Sequence, residues 1–203
     1  MYKFSSLVLA FAASLVFAPM GHAARVGDQA PEFTGTASSG KSVTLSHLRG
    51  KYVVLEWHNR DCPYTKKQYE SGNMQSLQKE WRAKGVVWLT MISSAKGEQG
   101  YVNAEEENAY VKLVGADPTA VILDPSGSIG HLFDAKTTPQ IFIIDPGGKL
   151  IYNGAIDDHP TTDVADVKVS KNYLSAALTE AMSGHAVEKP YTRPYGCSVK
   201  YAQ

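Results

Sequence analysis

The chain has 203 residues and a mass of 22.0 kDa, and it is 43% hydrophobic and 20% charged; that is one globular domain's worth of sequence, with enough apolar surface to build its own core. Its 20 Lys and Arg balance 20 Asp and Glu, which gives no support to broad electrostatic binding of nucleic acid or an anionic membrane. The two cysteines, Cys62 and Cys197, are too few for a disulfide framework or an all-thiolate zinc site, and enough for one reactive thiol with a partner or one structural bridge.

Residues 1–23 read as a cleavable export signal: Lys3 gives a positive start, Leu7 to Phe17 an uncharged apolar run, and Gly21-His22-Ala23 a small-residue cleavage site near Ala23. The apolar run is short for a membrane span. The expected mature chain, with 19 basic and 20 acidic residues, is soluble and periplasmic or secreted, without a membrane span. Such a compartment lets disulfides form and persist. Residues 24–188 are expected to form one domain, followed by a tail over 189–203.

Ser42–Leu45 alternates like a short strand, and Tyr52–Trp57 is a dense strand-forming run. Pro63 to about Lys84 reads as one long helix closed by Gly85. Val86–Met91 follows as a buried strand. Asn103-Ala104-Glu105-Glu106 has the spacing of a capping box and opens a helix to about Val114. Ala120–Leu123 and Ile141–Ile144 are further strands, with a helical turn over Ser128–Phe133 between them. Asp145-Pro146-Gly147-Gly148 turns the chain into Leu150–Gly154 as a hairpin. Ser170-Lys171 opens a last helix to about Met182. The segment from Lys189 has Pro190, Pro194 and Gly196 and no periodicity. Strands alternating with helices predict an α/β fold around a central mixed sheet.

Cys62 stands where a strand has ended and a helix begins. Unpaired backbone N–H groups and the helix dipole favour an anion there, which lowers a thiol's pKa. Pro63 suits the first helical turn because its missing N–H is not needed, and Lys66 and Lys67 add positive potential. This is the setting of a thiolate nucleophile. Thr138-Pro139 precedes the Ile141 strand, where proline is admissible at the entry. A cis bond there would turn the Thr138 backbone outward to bind an extended peptide, whereas a trans bond is the default.

Cys62-Pro63-Tyr64-Thr65 at a helix start, Thr138-Pro139 before a strand and Asp145-Pro146-Gly147-Gly148 in the last hairpin resemble the thioredoxin superfamily. Ala30-Pro31-Glu32-Phe33 and the hairpin after it resemble the N-terminal extension of peroxiredoxin-like redoxins. The Arg193–Tyr201 ending is similar to that of an exported bacterial group related to alkyl hydroperoxide reductase and thiol-specific antioxidant proteins. The resemblance spans about residues 26–201. It implies a thioredoxin-like fold with an N-terminal β-hairpin extension and an irregular C-terminal tail. It also implies a thiol–disulfide oxidoreductase with Cys62 as nucleophile and no cofactor or metal. Its partners would be protein or small-molecule thiols and disulfides and an external reductant, and a substrate would lie against Pro63, Tyr64, Thr138 and Pro139.

The departures bear on mechanism. A thioredoxin-type reductase carries a second cysteine where this chain has Thr65. A peroxiredoxin carries a Pro and a Thr where this chain has Leu55 and Asn59, and an Arg where it has Pro139. Cys197 remains open to three readings: a resolving cysteine for Cys62, a static bridge to it, or an unrelated thiol. A weak thiol peroxidase and a non-enzymatic binding module with structural cysteines remain as alternatives. Around the site, Glu56 reads either as a buried proton shuttle or as a salt-bridged edge residue. Trp57, His58 and Arg60 read either as supporting residues or as solvated loop. Asp157-Asp158-His159 reads as a solvated loop, since it lacks a recognised cation-ligand spacing, and His131 with Cys62 would offer a Cys/His copper site only with a second cysteine nearby, which the sequence around Cys62 lacks.

Overall fold

A computed structural model describes residues 24–202; the export signal expected over 1–23 lies outside them. The chain enters through β1 (Thr34–Ala37) and β2 (Ser42–Thr44), an antiparallel hairpin, and a 3-10 turn over Leu45–Leu48 leads to β3 (Val53–Trp57). Next come α1 (Pro63–Glu70), α2 (Asn73–Ala83), β4 (Val87–Ile92), α3 (Ala104–Val114), β5 (Ala120–Leu123) and α4 (Ser128–Phe133). Then follow β6 (Thr137–Thr138), β7 (Gln140–Ile144), β8 (Leu150–Gly154), α5 (Tyr173–Met182) and β9 (Cys197–Ser198).

Seven strands form one mixed sheet in the order β2-β1-β5-β4-β3-β7-β8. β3, β4 and β5 are parallel, joined by crossovers through α1–α2 and α3, whereas β7 runs antiparallel to β3 and β8 returns antiparallel to β7 at the edge of the sheet. All five residues of β3 and of β7 are buried, as in strands covered on both faces. Side chains alternate between the faces. Leu55, Trp57, Phe142 and Ile144 enter one core with Phe33, Ile129 and Phe133; Val54, Ile141 and Ile143 enter the other with Met74, Trp81, Leu174 and Leu178. α4 covers the first face, and α1, α2 and α5 cover the second.

Three elements differ from the sequence reading. The expected helix from Pro63 is two helices, because Gly72 adopts φ 73° and ψ 4°, a left-handed conformation that interrupts a right-handed helix and suits glycine. α5 starts at Tyr173, with the Asn172 side chain accepting from the Ser175 N–H. The expected irregular tail is docked, and its two-residue β9 pairs antiparallel with β6 in a second small sheet. The Asn103–Glu106 capping box forms with both reciprocal hydrogen bonds.

Candidate functional site

β3 delivers the chain to the end of the sheet beside β4. The loop that follows is fixed by its backbone and by the Asn59 side chain: the His58 N–H donates to Met91 O, and the Asn59 carboxamide accepts from the Asp61 N–H and donates to Gln99 O. This places Cys62 at the N-cap of α1 in an extended conformation, with Pro63 at the first helical position. The Cys62 side chain is fully buried.

β6 runs past this cysteine. Thr138–Pro139 is a cis peptide, and the Thr138 carbonyl lies 3.0 Å from Cys62 Sγ. The backbone edge expected to be open for an extended peptide is already paired: Thr138 faces Cys197 and Thr137 faces Ser198. Cys197 Sγ is thereby brought to 2.7 Å from Cys62 Sγ, across 135 positions of sequence, with both thiols unbonded. An S–S bond of about 2.05 Å needs the two sulfurs to close by less than an ångström.

The two thiols are unequal. Burial pushes Cys62 up, but hydrogen bonds from the Cys197 thiol and from the Thr65 and Cys197 N–H groups outweigh it, and the net shift is below an ordinary thiol. Cys197 is pushed up to about 12 by burial and by sharing its proton with Cys62. Cys62 is therefore the more acidic sulfur of the pair and Cys197 the less acidic, the polarity expected when one sulfur sits at a helix N-terminus and the other does not.

Other candidate residues occupy different surroundings from those read in the sequence. Lys67 is buried on α1; its ammonium donates to His159 O at 2.7 Å and lies 3.7 Å from Asp157, so its charge is met locally. Asp157 is also buried, a correction to the solvated-loop reading. It accepts from Gln68 at 2.6 Å, from the His159 N–H and from the Tyr195 hydroxyl. Tyr64 meets Tyr195 edge-on at 5.8 Å. His131 stacks on Tyr201 at 4.0 Å, and among the described residues no group of three His, Cys, Asp or Glu is placed to hold a metal ion.

Glu56 is fully buried, not an edge residue. It accepts from Tyr69 Oη (2.8 Å), Trp88 Nε1 (2.8 Å), Gln78 Nε2 (3.2 Å) and Thr90 Oγ1 (3.2 Å). His58 is buried beside it, with Nδ1 at 3.6 Å and both ring nitrogens lacking hydrogen bonds, a correction to the solvated-loop reading. Trp57 is core, donating to Ser93 Oγ. The Thr65 hydroxyl is buried and unpaired. Arg60 lies over the Tyr110 ring, 6.0 Å from its centroid.

The tail contacts were not visible in the sequence. Upstream of Cys197, Thr192 Oγ1 accepts from the Ala155 N–H, and the Asn153 N–H donates to Pro190 O. Downstream, Val199 is buried in the first core, its N–H donates to Lys136 O, and Tyr201 Oη donates to Ala135 O. Of the tail's tyrosines, Tyr195 and Tyr201 serve as anchors, while Tyr191 is exposed.

Residues 26–153, more than half of the chain, match the AhpC/TSA family. The chain belongs to that family. The match ends before the tail, so Cys197 lies outside what this AhpC/TSA chain shares with the family description. The thiol–disulfide oxidoreductase ResA of Bacillus subtilis is 27% identical over 125 residues, 62% of this chain and 64% of ResA; the chain thus spans less than two thirds of that relative's length. A putative thiol:disulfide interchange protein DsbE from Chlorobium tepidum superposes with a TM-score of 0.53 at 26% identity, covering 64% of this chain and 85% of that one. A hypothetical protein from Sinorhizobium meliloti superposes with a TM-score of 0.75 at 20% identity, covering 89% of this chain and 97% of that one. The fold of this AhpC/TSA chain is therefore thioredoxin-like, with the β1–β2 hairpin added at the β5 edge of the sheet.

Proposed function

We propose that this protein is an exported thiol–disulfide oxidoreductase in which Cys62 is the nucleophile and Cys197 the resolving cysteine. The observation that carries this reading is the 2.7 Å approach of a buried, acidified thiol at a helix N-terminus to a second, less acidic thiol. The likeness to ResA and to the DsbE-type protein supports the chemistry, and the composition of residues 1–23 supports export.

In the forward direction the Cys62 thiolate attacks one sulfur of a substrate disulfide. The substrate S–S bond breaks, a Cys62–substrate disulfide forms, and the other substrate sulfur leaves as a thiolate that takes up a proton. Cys197 then loses its proton and attacks Cys62 Sγ, expelling the second substrate thiol and leaving a Cys62–Cys197 disulfide. The protein has lost two electrons and the substrate disulfide has gained them. An external thiol reductant reverses the cycle. Resolution from Cys197 replaces the local second cysteine that Thr65 displaces. Leu55 is packed in the core and the Asn59 carboxamide is spent on the loop, so neither offers peroxide-binding groups next to Cys62.

The test is trapping. Incubated with a disulfide substrate, the Cys197→Ser protein should accumulate a mixed disulfide at Cys62 that mass spectrometry detects, while Cys62→Ser traps nothing. Non-reduced wild-type protein should contain a Cys62–Cys197 peptide pair. Free thiols at both positions after oxidation would overturn the reading.

A further inference from the structure

β9 occupies the edge of β6 in the manner of an extended peptide. Cys197 stands directly across from Thr138, and its sulfur points at Cys62. A substrate strand using the same backbone edge would place its own cysteine at this position, so tail and substrate compete for one set of hydrogen-bonding groups. Gly196 makes the close approach possible: a Cβ there would fall 2.0 Å from the Thr138 carbonyl oxygen, and its φ is 140°. The tail is held from both sides of the cysteine, by Tyr195 on buried Asp157 before it and by Val199 and Tyr201 after it. With the tail in place Cys62 has no exposed surface.

We propose that residues 190–201 are a built-in substrate strand that gates the β6 edge, so that an extended, cysteine-bearing polypeptide reaches Cys62 only when the tail lifts. This rests on the thiol–disulfide exchange reading and adds a specificity element to it. The gate discriminates by shape. A long peptide must displace β9 along the whole edge, whereas a small disulfide needs only local room at the sulfur. The tail's dual role follows: docked, it excludes a peptide; after a mixed disulfide has formed, its return brings Cys197 to resolve it.

The experiment uses the Cys197→Ser protein, which keeps the tail and lacks the resolving thiol. Its rate of adduct formation at Cys62 is measured by mass spectrometry with two probes: a linear cysteine peptide activated as a mixed disulfide, and hydroxyethyl disulfide. The same rates are measured after adding Gly196→Val, which pushes β9 off Thr138, and in a protein ending at Glu188. Circular dichroism and cooperative unfolding establish that each variant is folded; the two variants disturb different contacts, so one can stand in for the other. The peptide-to-small-disulfide rate ratio should rise about tenfold or more once the edge is freed, because a docked tail scales the reactive fraction down. A synthetic peptide of residues 190–201 with Ser at 197 should slow the truncated protein and leave the tail-bearing one unchanged. Adducts that form with an unchanged ratio overturn the gate while the exchange reading stands. No adduct at Cys62 with either probe in any variant overturns the exchange reading, and the gate with it.

Discussion

At Cys62 two opposing effects set the chemistry. Burial disfavours the thiolate, and donors around the sulfur favour it more strongly. The first of those donors is the Cys197 thiol. Replacing it in Cys197→Ala should move the Cys62 titration, followed by ultraviolet thiolate absorbance, to higher pH. The linkage to stability has opposite signs at the two sulfurs. Cys62, lowered in the fold, adds stability above the ordinary thiol range near ~8.5 and loses it as pH falls through its folded value. Cys197, raised to about 12, adds stability below that range and loses it as pH climbs toward its folded value. The reduced wild-type protein should therefore lose more stability than Cys197→Ala between pH ~9 and higher pH, measured by urea unfolding; equal losses would show that the two sulfurs do not share the proton. Glu56 is a second residue whose effect is local. Four donors converge on its buried carboxylate, and an amide can accept at only one of its two terminal atoms. Glu56→Gln should cost about 1–3 kcal/mol in denaturant unfolding, because buried donors are left facing an NH₂ group.

Among the elements, the break between α1 and α2 shows how local signals compete. Residues 63–84 read as one helix because helix-forming side chains dominate on both sides of Ser71-Gly72-Asn73. The chain instead takes a left-handed turn there, so that α1 aims at Cys62 while α2 lays Met74, Leu77 and Trp81 on the sheet. Gly72→Ala would place a Cβ in that conformation and should destabilise the fold by about 1 kcal/mol, seen as a lower Tm; no change would mean that a continuous helix is accommodated. The capping box of α3 was readable because it is contained within four residues, Asn103 to Glu106. β9 was not readable, since two residues have no period and their partner strand lies about sixty residues away in sequence.

Across the whole molecule, the cysteine pair ties the entry of the first crossover helix to the end of the chain. A disulfide closing a loop of 135 residues should stabilise the oxidised protein by about 4–5 kcal/mol in the chain-entropy account, less if the native geometry must adjust. Oxidised wild-type protein should thus melt at clearly higher temperature than reduced, and the Cys197→Ser protein should show no redox dependence of its Tm. The buried Asp157, joined to Lys67, Gln68 and Tyr195, couples α1 to the tail. Sequence proximity to Asp158 and His159 suggested a wet loop, because burial of a carboxylate depends on partners from distant elements and not on its neighbours in the chain.

The sequence by itself determined the alternation of strands and helices, the strands now seen as β3, β4, β5 and β7, the hairpin turn at 145–148 and the position of Cys62 before Pro63 at a helix start. These follow from periodicity, capping and turn chemistry, which act over a few residues. Only the tertiary structure decided where the second thiol lies. Cys197 meets Cys62 because the tail is anchored by buried Val199 and by Tyr195 and Tyr201, each held by a group contributed from elsewhere in the fold. Contacts of that kind are set by packing between distant segments, and no local pattern in the chain encodes them.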